Sequence, residues 1–116
     1  MSYDVIPLER FKRDVKQLSK KYRHIKEDLQ ELEALLSENP TAGDAIPELK
    51  GSFYKVRLRN TDLRKGKRAG YRVVYYPSEE NETIFLVTLY VKGEKENIRP
   101  KDILAIMKQE KIGIQT

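Results

Sequence analysis

The sequence contains no cysteine, so the chain can form neither a disulfide framework nor a thiolate metal site. That absence agrees with a reducing cytoplasm, which is where we expect the protein to be found. No apolar run approaches the roughly 18 residues that cross a bilayer. The opening segment MSYDVIPLER also lacks the apolar core of a signal peptide. We therefore expect no membrane partner.

Motifs for nucleotide-driven or metal-dependent chemistry are absent as well. The sequence has no GxxxxGK phosphate loop and no nucleophile-elbow pattern. Its single histidine, His24, falls in a region predicted to be helical, and its acids are scattered along the helices. The sequence thus predicts no metal and no cofactor, and excludes a mechanism that uses two histidines. Without internal repeats, 116 residues suit a single domain spanning 1–116.

What the chain does have is a strong local excess of positive charge. It carries 23 Lys and Arg against 18 Asp and Glu, a net charge of +5. Residues 53–72, FYKVRLRNTDLRKGKRAGYR, hold eight of the basic residues and one acid, so the whole excess comes from this segment. Because Lys55, Arg57 and Arg59 alternate with apolar residues, a strand here would bury one face and present a row of cations on the other. Such a row favours a polyanionic partner, above all nucleic acid.

Two amphipathic helix patterns occupy the first third of the chain, after the short β-rich segment SYDVI. The first stripe contains Leu8, Phe11, Val15, Leu18 and Tyr22. The second contains Ile25, Leu29, Leu32, Leu35 and Leu36, and Asn39-Pro40 ends it. The break near Tyr22–His24 predicts two antiparallel helices rather than one rod. The stretch NPTAGDAIPELKG that follows predicts a loop.

From Phe53 onward the apolar period changes from about 3.6 residues to about 2. Strands are predicted at FYKVRLR, GYRVVYY and TIFLVTLYV, joined by the basic connection TDLRKGKRA and by a turn at PSEEN. A last helical pattern with Ile103, Ile106 and Met107 follows Pro100. The order β-α-α-β-β-β-α predicts an α+β fold. Its antiparallel sheet would pack one face on the two N-terminal helices, and a short C-terminal helix would close the chain. The helices are expected on this one face, so the face with the row of cations would stay open.

This order and three phrases between Leu49 and Ile98 resemble the RelE/ParE superfamily of bacterial toxins from type II toxin–antitoxin pairs. The phrases are LKGSFYKVRLRN, GKRAGYRVVYY and LYVKGEKENI. They look most like HigB-type members, whose strands carry a KxR run, a G-x-R-(V/I)-x-Y strand and a Y-x-K-x-E-x-E-N ending. RelE and HigB members cut messenger RNA, usually on the ribosome, whereas ParE members poison DNA gyrase. The resemblance also implies a cognate antitoxin, expected to be of the helix-turn-helix type.

The resemblance to RelE-type toxins implies a metal-free endoribonuclease with messenger RNA and the ribosome as partners. Such cleavage needs a base for the ribose 2′-OH, a cation for the charge that builds on the phosphate, and an acid for the leaving 5′-oxygen. The matching positions imply Lys55, Arg57 and Arg72 as catalytic residues. Lys92, at the end of the last strand, is expected on the same open face and is predicted to assist them. Arginine can hold two phosphate oxygens, so Arg72 is expected to stabilise the phosphorane. The residues expected to contact RNA are Arg59, Lys65, Lys67, Arg68, Tyr76 and Tyr90.

Several alternatives stay open from the sequence. The cations of FYKVRLR could be only the solvated side of an edge strand, and Arg72 could be a structural ion-pair partner. Where RelE has a tyrosine after its last strand, KGEKENIRPKD has none, and Glu94 or Glu96 could act as the base or hold an arginine. The general acid and base are therefore unassigned, and Tyr75 is expected to pack in the core. The alternative functions are a ParE-like gyrase inhibitor without nuclease activity and a non-catalytic RNA-binding module.

Overall fold

The computed structural model of the protein describes residues 2–63, 69–94 and 97–112. The helices and strands follow the predicted order, with one added short strand inside the segment predicted as a loop. They are β1 Asp4–Pro7, α1 Glu9–Ser19, α2 Ile25–Glu38, β2 Asp44–Ala45, β3 Tyr54–Leu58, β4 Tyr71–Ser78, β5 Thr83–Val91 and α3 Pro100–Gln109. No helix in these ranges is long and apolar enough to cross a membrane.

In the part of the chain that the structure describes, five strands form one sheet in the order β1-β5-β4-β3-β2. The pairs β3–β4 and β4–β5 are antiparallel, as predicted, and the added strand β2 also pairs antiparallel with β3. In contrast, β1 runs parallel to β5, from Asp4 opposite Thr83 to Pro7 opposite Leu86. A parallel pair needs a long crossover, which α1 and α2 help to supply between β1 and the rest of the sheet. The α+β class is thus confirmed, with a mixed sheet in place of a wholly antiparallel one.

The two N-terminal helices cover one face of this sheet. The helical region is interrupted between Ser19 and Ile25, as predicted, which gives two helices. Each helix turns most of its apolar stripe inward, so Phe11 of α1 is 2% exposed and Leu36 of α2 is fully buried. Leu35 of the predicted second stripe is 45% exposed, because consecutive residues of a helix point about 100° apart and Leu36 takes the inward position. The strand residues in the same cluster are Val56, Leu58, Tyr71, Val73, Tyr75, Ile84, Leu86, Leu89 and Val91. Burial of one such side chain stabilises the fold by about 1.5–3 kcal/mol, so this cluster is a major source of stability.

The third helix packs on the opposite face, which was expected to stay open. The buried residues of this second cluster include Val74, Tyr76, Val87, Tyr90, Ile98, Ile103, Ile106 and Met107. The cause lies in β4, where every residue of YRVVYY is buried because apolar side chains point to both faces. The expectation that helices would lie on a single face was therefore wrong, since a strand that is apolar on both sides needs cover on both.

Candidate nucleic-acid interface

The sheet register brings three of the predicted residues into one row across three strands. Arg57 of β3 is the Cα partner of Arg72 of β4, and Arg72 is the partner of Tyr90 of β5. Side chains directly opposite each other on one face have Cβ atoms about 4.5–5.5 Å apart. Tyr71 and Val73, on either side of Arg72, point into the cluster beneath α1 and α2, as the alternation predicted. Two guanidinium groups and a phenol therefore lie side by side.

Arg72 is the buried cation of this arrangement. It is 7% exposed, and its Nη1 donates a hydrogen bond to the carbonyl oxygen of Tyr71 over 3.3 Å. Burial, and after it repulsion from Arg57, lower the pKa of Arg72, whereas Tyr90 acts to raise it. Arginine nonetheless stays protonated at any working pH. Like charges directly opposite in a sheet are unfavourable, so an anion bound across both guanidinium groups would offset their repulsion.

Lys55 extends the arrangement along β3, and Asn97 ties it to Tyr90. Lys55 lies two residues before Arg57 and so shares its face. The side-chain oxygen of Asn97 accepts hydrogen bonds from Lys55 Nζ at 3.0 Å and from the Tyr90 hydroxyl at 3.3 Å. Burial raises the pKa of Tyr90, although Arg72 opposes this, so the phenol stays a neutral donor. We call Lys55, Arg57, Arg72 and Tyr90 the basic row.

Asn97 was not among the residues predicted from the sequence. Its contact with Lys55 joins positions 42 residues apart, and its contact with Tyr90 reaches back across the turn after β5. No local periodicity signals such a contact, because it depends on where the chain lies after leaving β5. The signal available in the sequence was its place at the end of the LYVKGEKEN phrase, which by itself assigns no role.

Two further predicted cations lie at the end of the sheet just beyond the row. Arg59 follows the last residue of β3, Lys92 follows the last residue of β5, and both are exposed. The N–H of Lys92 donates to the carbonyl oxygen of Gly70 at 3.2 Å, which prolongs the β4–β5 ladder to this point. A Cβ on Gly70 would lie 2.2 Å from the carbonyl oxygen of Leu58, so glycine is required where β4 begins this close to the end of β3.

The start of the basic connection between β3 and β4 is fastened to α2. Lys65, Lys67 and Arg68, predicted to contact RNA, lie outside the described residues. Before them, the buried Asp28 accepts hydrogen bonds from the Thr61 N–H at 3.0 Å and from the Thr61 hydroxyl. Asp62 accepts from the His24 N–H at 2.9 Å and contacts the His24 imidazole at 2.8 Å. Hydrogen bonding to Asp62 raises the pKa of His24, and the same contacts lower the pKa of Asp62.

The carboxylates predicted near the row do not all face it. Glu94 accepts hydrogen bonds from Lys21 Nζ at 2.7 Å and from the Tyr22 hydroxyl. The bond from Lys21, and after it that from Tyr22, lowers the pKa of Glu94. This contact with the helical side of the molecule disfavours Glu94 as the residue that orients an arginine of the row. Glu96 lies outside the described residues, and no group of three or more His, Cys, Asp or Glu within them could hold a metal ion.

Tyr76 is the predicted RNA contact that the structure separates from the row. It lies four positions along β4 from Arg72, and it is 4% exposed. Its ring packs on Phe53 and Phe85, with centroid distances of 5.0 Å and 6.3 Å. The prediction that Tyr76 stacks on bases is therefore not supported, because aromatic neighbours already occupy the space around the ring. Tyr75 is fully buried, which confirms the prediction that it packs in the core.

The mixed sheet between a helical pair and a C-terminal helix is similar to the fold of solved α+β toxins of the RelE type. The free RelE toxin of Escherichia coli, solved as a double arginine-to-alanine mutant, has a TM-score of 0.59 and 22% identity, covering 94% of this chain and 97% of that chain. The toxin–antitoxin complex RelBE2 of Mycobacterium tuberculosis matches with a TM-score of 0.59 and 20% identity over 79% of this chain and 100% of that chain. The same E. coli mutant, bound to an antitoxin RelBc peptide, matches with a TM-score of 0.55 and 20% identity. The match covers 90% of this chain and 93% of that chain. These likenesses show the fold.

The sequence also matches one family model over most of its length. Residues 5–92 match the family described as the ParE toxin of the type II toxin-antitoxin system parDE. The matched range takes in both N-terminal helices and all of β3, β4 and β5, and therefore the whole basic row. The chain belongs to the ParE toxin family and is a type II toxin of the RelE/ParE superfamily. The resemblance seen in the KxR and GYR phrases is thus confirmed at the level of the superfamily.

Proposed function

We propose that this toxin is a metal-free endoribonuclease that cuts messenger RNA on the ribosome. The main support is the basic row, in which the buried Arg72 lies opposite Arg57 and beside Tyr90. Catalysis requires interactions that are stronger in the transition state than in the ground state. Cations on neighbouring strands suit a phosphorane-like transition state, which carries more negative charge than the phosphodiester from which it forms. A surface that only docks RNA can use exposed cations alone.

The reaction would begin with attack of the ribose 2′-oxygen on the adjacent phosphorus. The 2′-OH loses its proton, the P–O5′ bond breaks as the P–O2′ bond forms, and the 5′-oxygen takes up a proton. The products are a 2′,3′-cyclic phosphate and a 5′-OH. Arg72 would hold non-bridging oxygens with its planar fork, while Arg57 positions the backbone. Arginine does not exchange protons at working pH, so proton transfer is assigned to Lys55, Tyr90 and Lys92.

Cations beyond the row would grip the phosphates of ribosomal or messenger RNA. They are Arg59, Lys65, Lys67 and Arg68. Such contacts supply affinity and register without reading bases. Sequence or codon preference would then arise close to the row, where an unstacked nucleotide meets Tyr90 and its neighbours.

Cleavage can be tested in cells and with purified components. After induction, primer extension should reveal cuts in messenger RNA that keep a constant phase with codons, and the downstream fragments should carry 5′-OH ends. Purified toxin should cut messenger RNA on programmed ribosomes, and a parallel reaction without ribosomes measures their contribution. The matched control is Arg13→Ala, which removes an exposed arginine of α1. Intact messenger RNA under both conditions with folded toxin would overturn the proposal.

A second candidate, inhibition of gyrase without RNA cleavage, is favoured by the match to the ParE family itself. The basic row would then act as a binding surface with no bond broken. A supercoiling assay with purified gyrase tests this candidate directly. Loss of supercoiling at toxin concentrations that leave messenger RNA intact would replace the nuclease proposal.

We also propose that a cognate antitoxin, expected to be of the helix-turn-helix type, binds this toxin. The support is a family described by its toxin–antitoxin system, together with similar structures that contain antitoxin or an antitoxin peptide. An acidic or amphipathic segment that covers the basic row or displaces α3 would be captured rapidly through opposite charge. The double variant Arg57→Glu/Arg59→Glu should slow antitoxin association, measured by surface plasmon resonance. Lys12→Glu/Lys16→Glu on α1 is the charge-matched control, and equal rates for the two variants would place the antitoxin elsewhere.

A further inference from the structure

The side-chain oxygen of Asn97 lies at a point where donors from three parts of the chain converge. Lys55 Nζ of β3 is 3.0 Å away, the Tyr90 hydroxyl of β5 is 3.3 Å away, and the N–H of Ile98 is 2.9 Å away. We propose that Asn97 is a positioning residue that holds Lys55 and Tyr90 in their reactive orientation, an inference that rests on the proposed ribonuclease function. Asn97 acts through these two side chains and does not itself contact the reacting phosphate.

The chemistry of a carboxamide suits this task. Its oxygen only accepts hydrogen bonds, so Lys55, Tyr90 and the Ile98 N–H must all be donors to it. An acceptor without net charge can fix an ammonium group without cancelling its positive charge. A carboxylate in the same place would form an ion pair with Lys55 and lower the positive potential that draws RNA to the row. The basic row thus gains order and keeps its charge.

Lysine needs such a partner more than arginine does. Its ammonium group sits on a flexible four-carbon stem, whereas the guanidinium of Arg72 is planar and held by a buried strand. Lys55 is only partly buried, so packing alone does not fix its tip. Ile98 is 5% exposed in the cluster with α3, and this anchors the backbone from which Asn97 projects. The position of Lys55 Nζ therefore depends on a residue whose backbone is anchored by the buried cluster that contains α3.

The number of donors also indicates how the site would receive substrate. A carboxamide oxygen has two lone pairs, yet three donors lie within 3.3 Å of it. The Tyr90 bond is the longest of the three, so the phenol is the donor most easily transferred to a phosphate oxygen. Tyr90 is also the cross-strand partner of Arg72. Release of the phenol would therefore add a second donor beside the guanidinium that holds the phosphate.

The test is single-turnover cleavage of messenger RNA on programmed ribosomes, with rate and half-saturating toxin concentration measured separately. Asn97→Ala should lower the cleavage rate about tenfold to a hundredfold, as expected when a reacting group is misplaced by about 1 Å, with little change in half-saturation. Asn97→Asp keeps an acceptor at the same place and should restore most of the rate while weakening RNA binding. Asn81→Ala, in the turn between β4 and β5, is the matched control and should behave as wild type.

A double-variant comparison separates positioning from a general structural role. If Asn97 acts through Lys55 and Tyr90, then adding Asn97→Ala to the double variant Lys55→Met/Tyr90→Phe should cost no further rate, whereas independent effects would multiply. Any of three outcomes would overturn the inference: rate losses that multiply in the combined variant, a wild-type rate for Asn97→Ala, or a faster rate for Asn97→Ala, which would show that the amide blocks the site. A wild-type toxin that cuts no RNA would instead reject the proposed function itself, so the two failures are distinguishable. Thermal melts of each variant confirm that the domain is folded.

Discussion

Arg72 occupies an unusual position for a charged residue within the central strand of the sheet. The side chains before and after it, Tyr71 and Val73, point into the main core, and Arg72 is itself 7% exposed. Its cross-strand partners are Arg57 and Tyr90, so its guanidinium group belongs to the basic row. At the scale of single residues, this place in the row is the reason to propose a functional role for Arg72.

The clearest test at this scale is Arg72→Ala, which should abolish toxicity in induced cells while leaving the domain folded. Loss of a phosphate ligand from a transition state costs about a hundredfold to a thousandfold in rate. Folding should tolerate the change because Tyr71 and Val73, the neighbours that point into the main core, are unaltered. Arg72→Lys should rescue only partly, since a point charge cannot make the two-pronged contact. Growth assays and circular-dichroism melts report the two properties. Full toxicity of folded Arg72→Ala would remove Arg72 from the site, and loss of folding as well would favour a structural role.

At the scale of elements, α3 is what completes the second face of the sheet. Met107 is fully buried in the cluster beneath it, whereas Leu104 on the same helix is 41% exposed. We expect Met107→Ala to lower the free energy of unfolding by about 2–5 kcal/mol, as for other large core side chains. Leu104→Ala, the matched control, should change it by about 0.5 kcal/mol or less. Urea denaturation measures both, and equal losses would contradict the packing of α3 described above.

The contacts of Asp62 with His24, here called the clasp, lead to a second prediction at the scale of elements. His24 is the only histidine, so its imidazole gives a single titrating set of NMR signals. Its pKa should lie above the ordinary value of about 6.5, because Asp62 stabilises the protonated ring. Asp62→Asn should bring the pKa back down, while Glu27→Gln, a smaller contributor, should move it less. A titration of His24 at or below the ordinary value would show that the clasp does not form in solution.

The sign of the linked stability change follows from these directions. Protonated His24 stabilises the fold below about pH 6.5, its unfolded value, and this contribution disappears as the pH rises through the raised folded pKa. Asp62, whose pKa is lowered, stabilises the fold above its unfolded value of about 3.9, and this is lost as the pH falls through its folded pKa. The His24 side chain is 48% exposed and that of Asp62 is 19% exposed. Because solvent and ions reach the pair, the effect on stability should be small and should weaken with salt.

Elements whose signals are local were predictable, and those that depend on register or packing were not. The stripes of α1 and α2, the break after Ser19 and the three long strands follow from periodicity within the chain. The parallel pairing of β1 depends on a crossover. Between β4 and β5 the register shifts at Val74/Tyr75 so that Val87 has no cross-strand partner in β4, and this bulge depends on cross-strand geometry. The apolar side chains on both faces of GYRVVYY could have predicted the continuous burial of β4, and therefore helices on both faces of the sheet. Likewise, the alternation of side chains along the strands predicted that Arg57 and Arg72 share one face. It could not predict the contacts of Asn97, which lies outside the strands.

At the scale of the whole molecule, charge is divided between two regions. Residues 53–72 carry the entire positive excess, and the remainder of the chain is close to neutral with slightly more acid than base. The fold gathers the described part of that segment on β3 and β4, next to the end of β5 where Lys92 lies. Such a one-sided distribution attracts a polyanion in a defined orientation, so that the basic row is presented first.

This distribution predicts that RNA binding weakens steeply with salt. If about five phosphates are neutralised, the logarithm of the binding constant should fall with the logarithm of salt with a slope of about −3.5, since each contact on a single strand contributes about −0.7. Fluorescence anisotropy with a short labelled RNA between low and physiological salt gives the slope. Removing two contacts in Arg57→Ala/Arg59→Ala should make it shallower by about 1.4, whereas Lys12→Ala/Lys16→Ala on α1 should leave it unchanged. A flat salt dependence for the wild type, or equal slopes for the two double variants, would show that affinity comes from another part of the molecule.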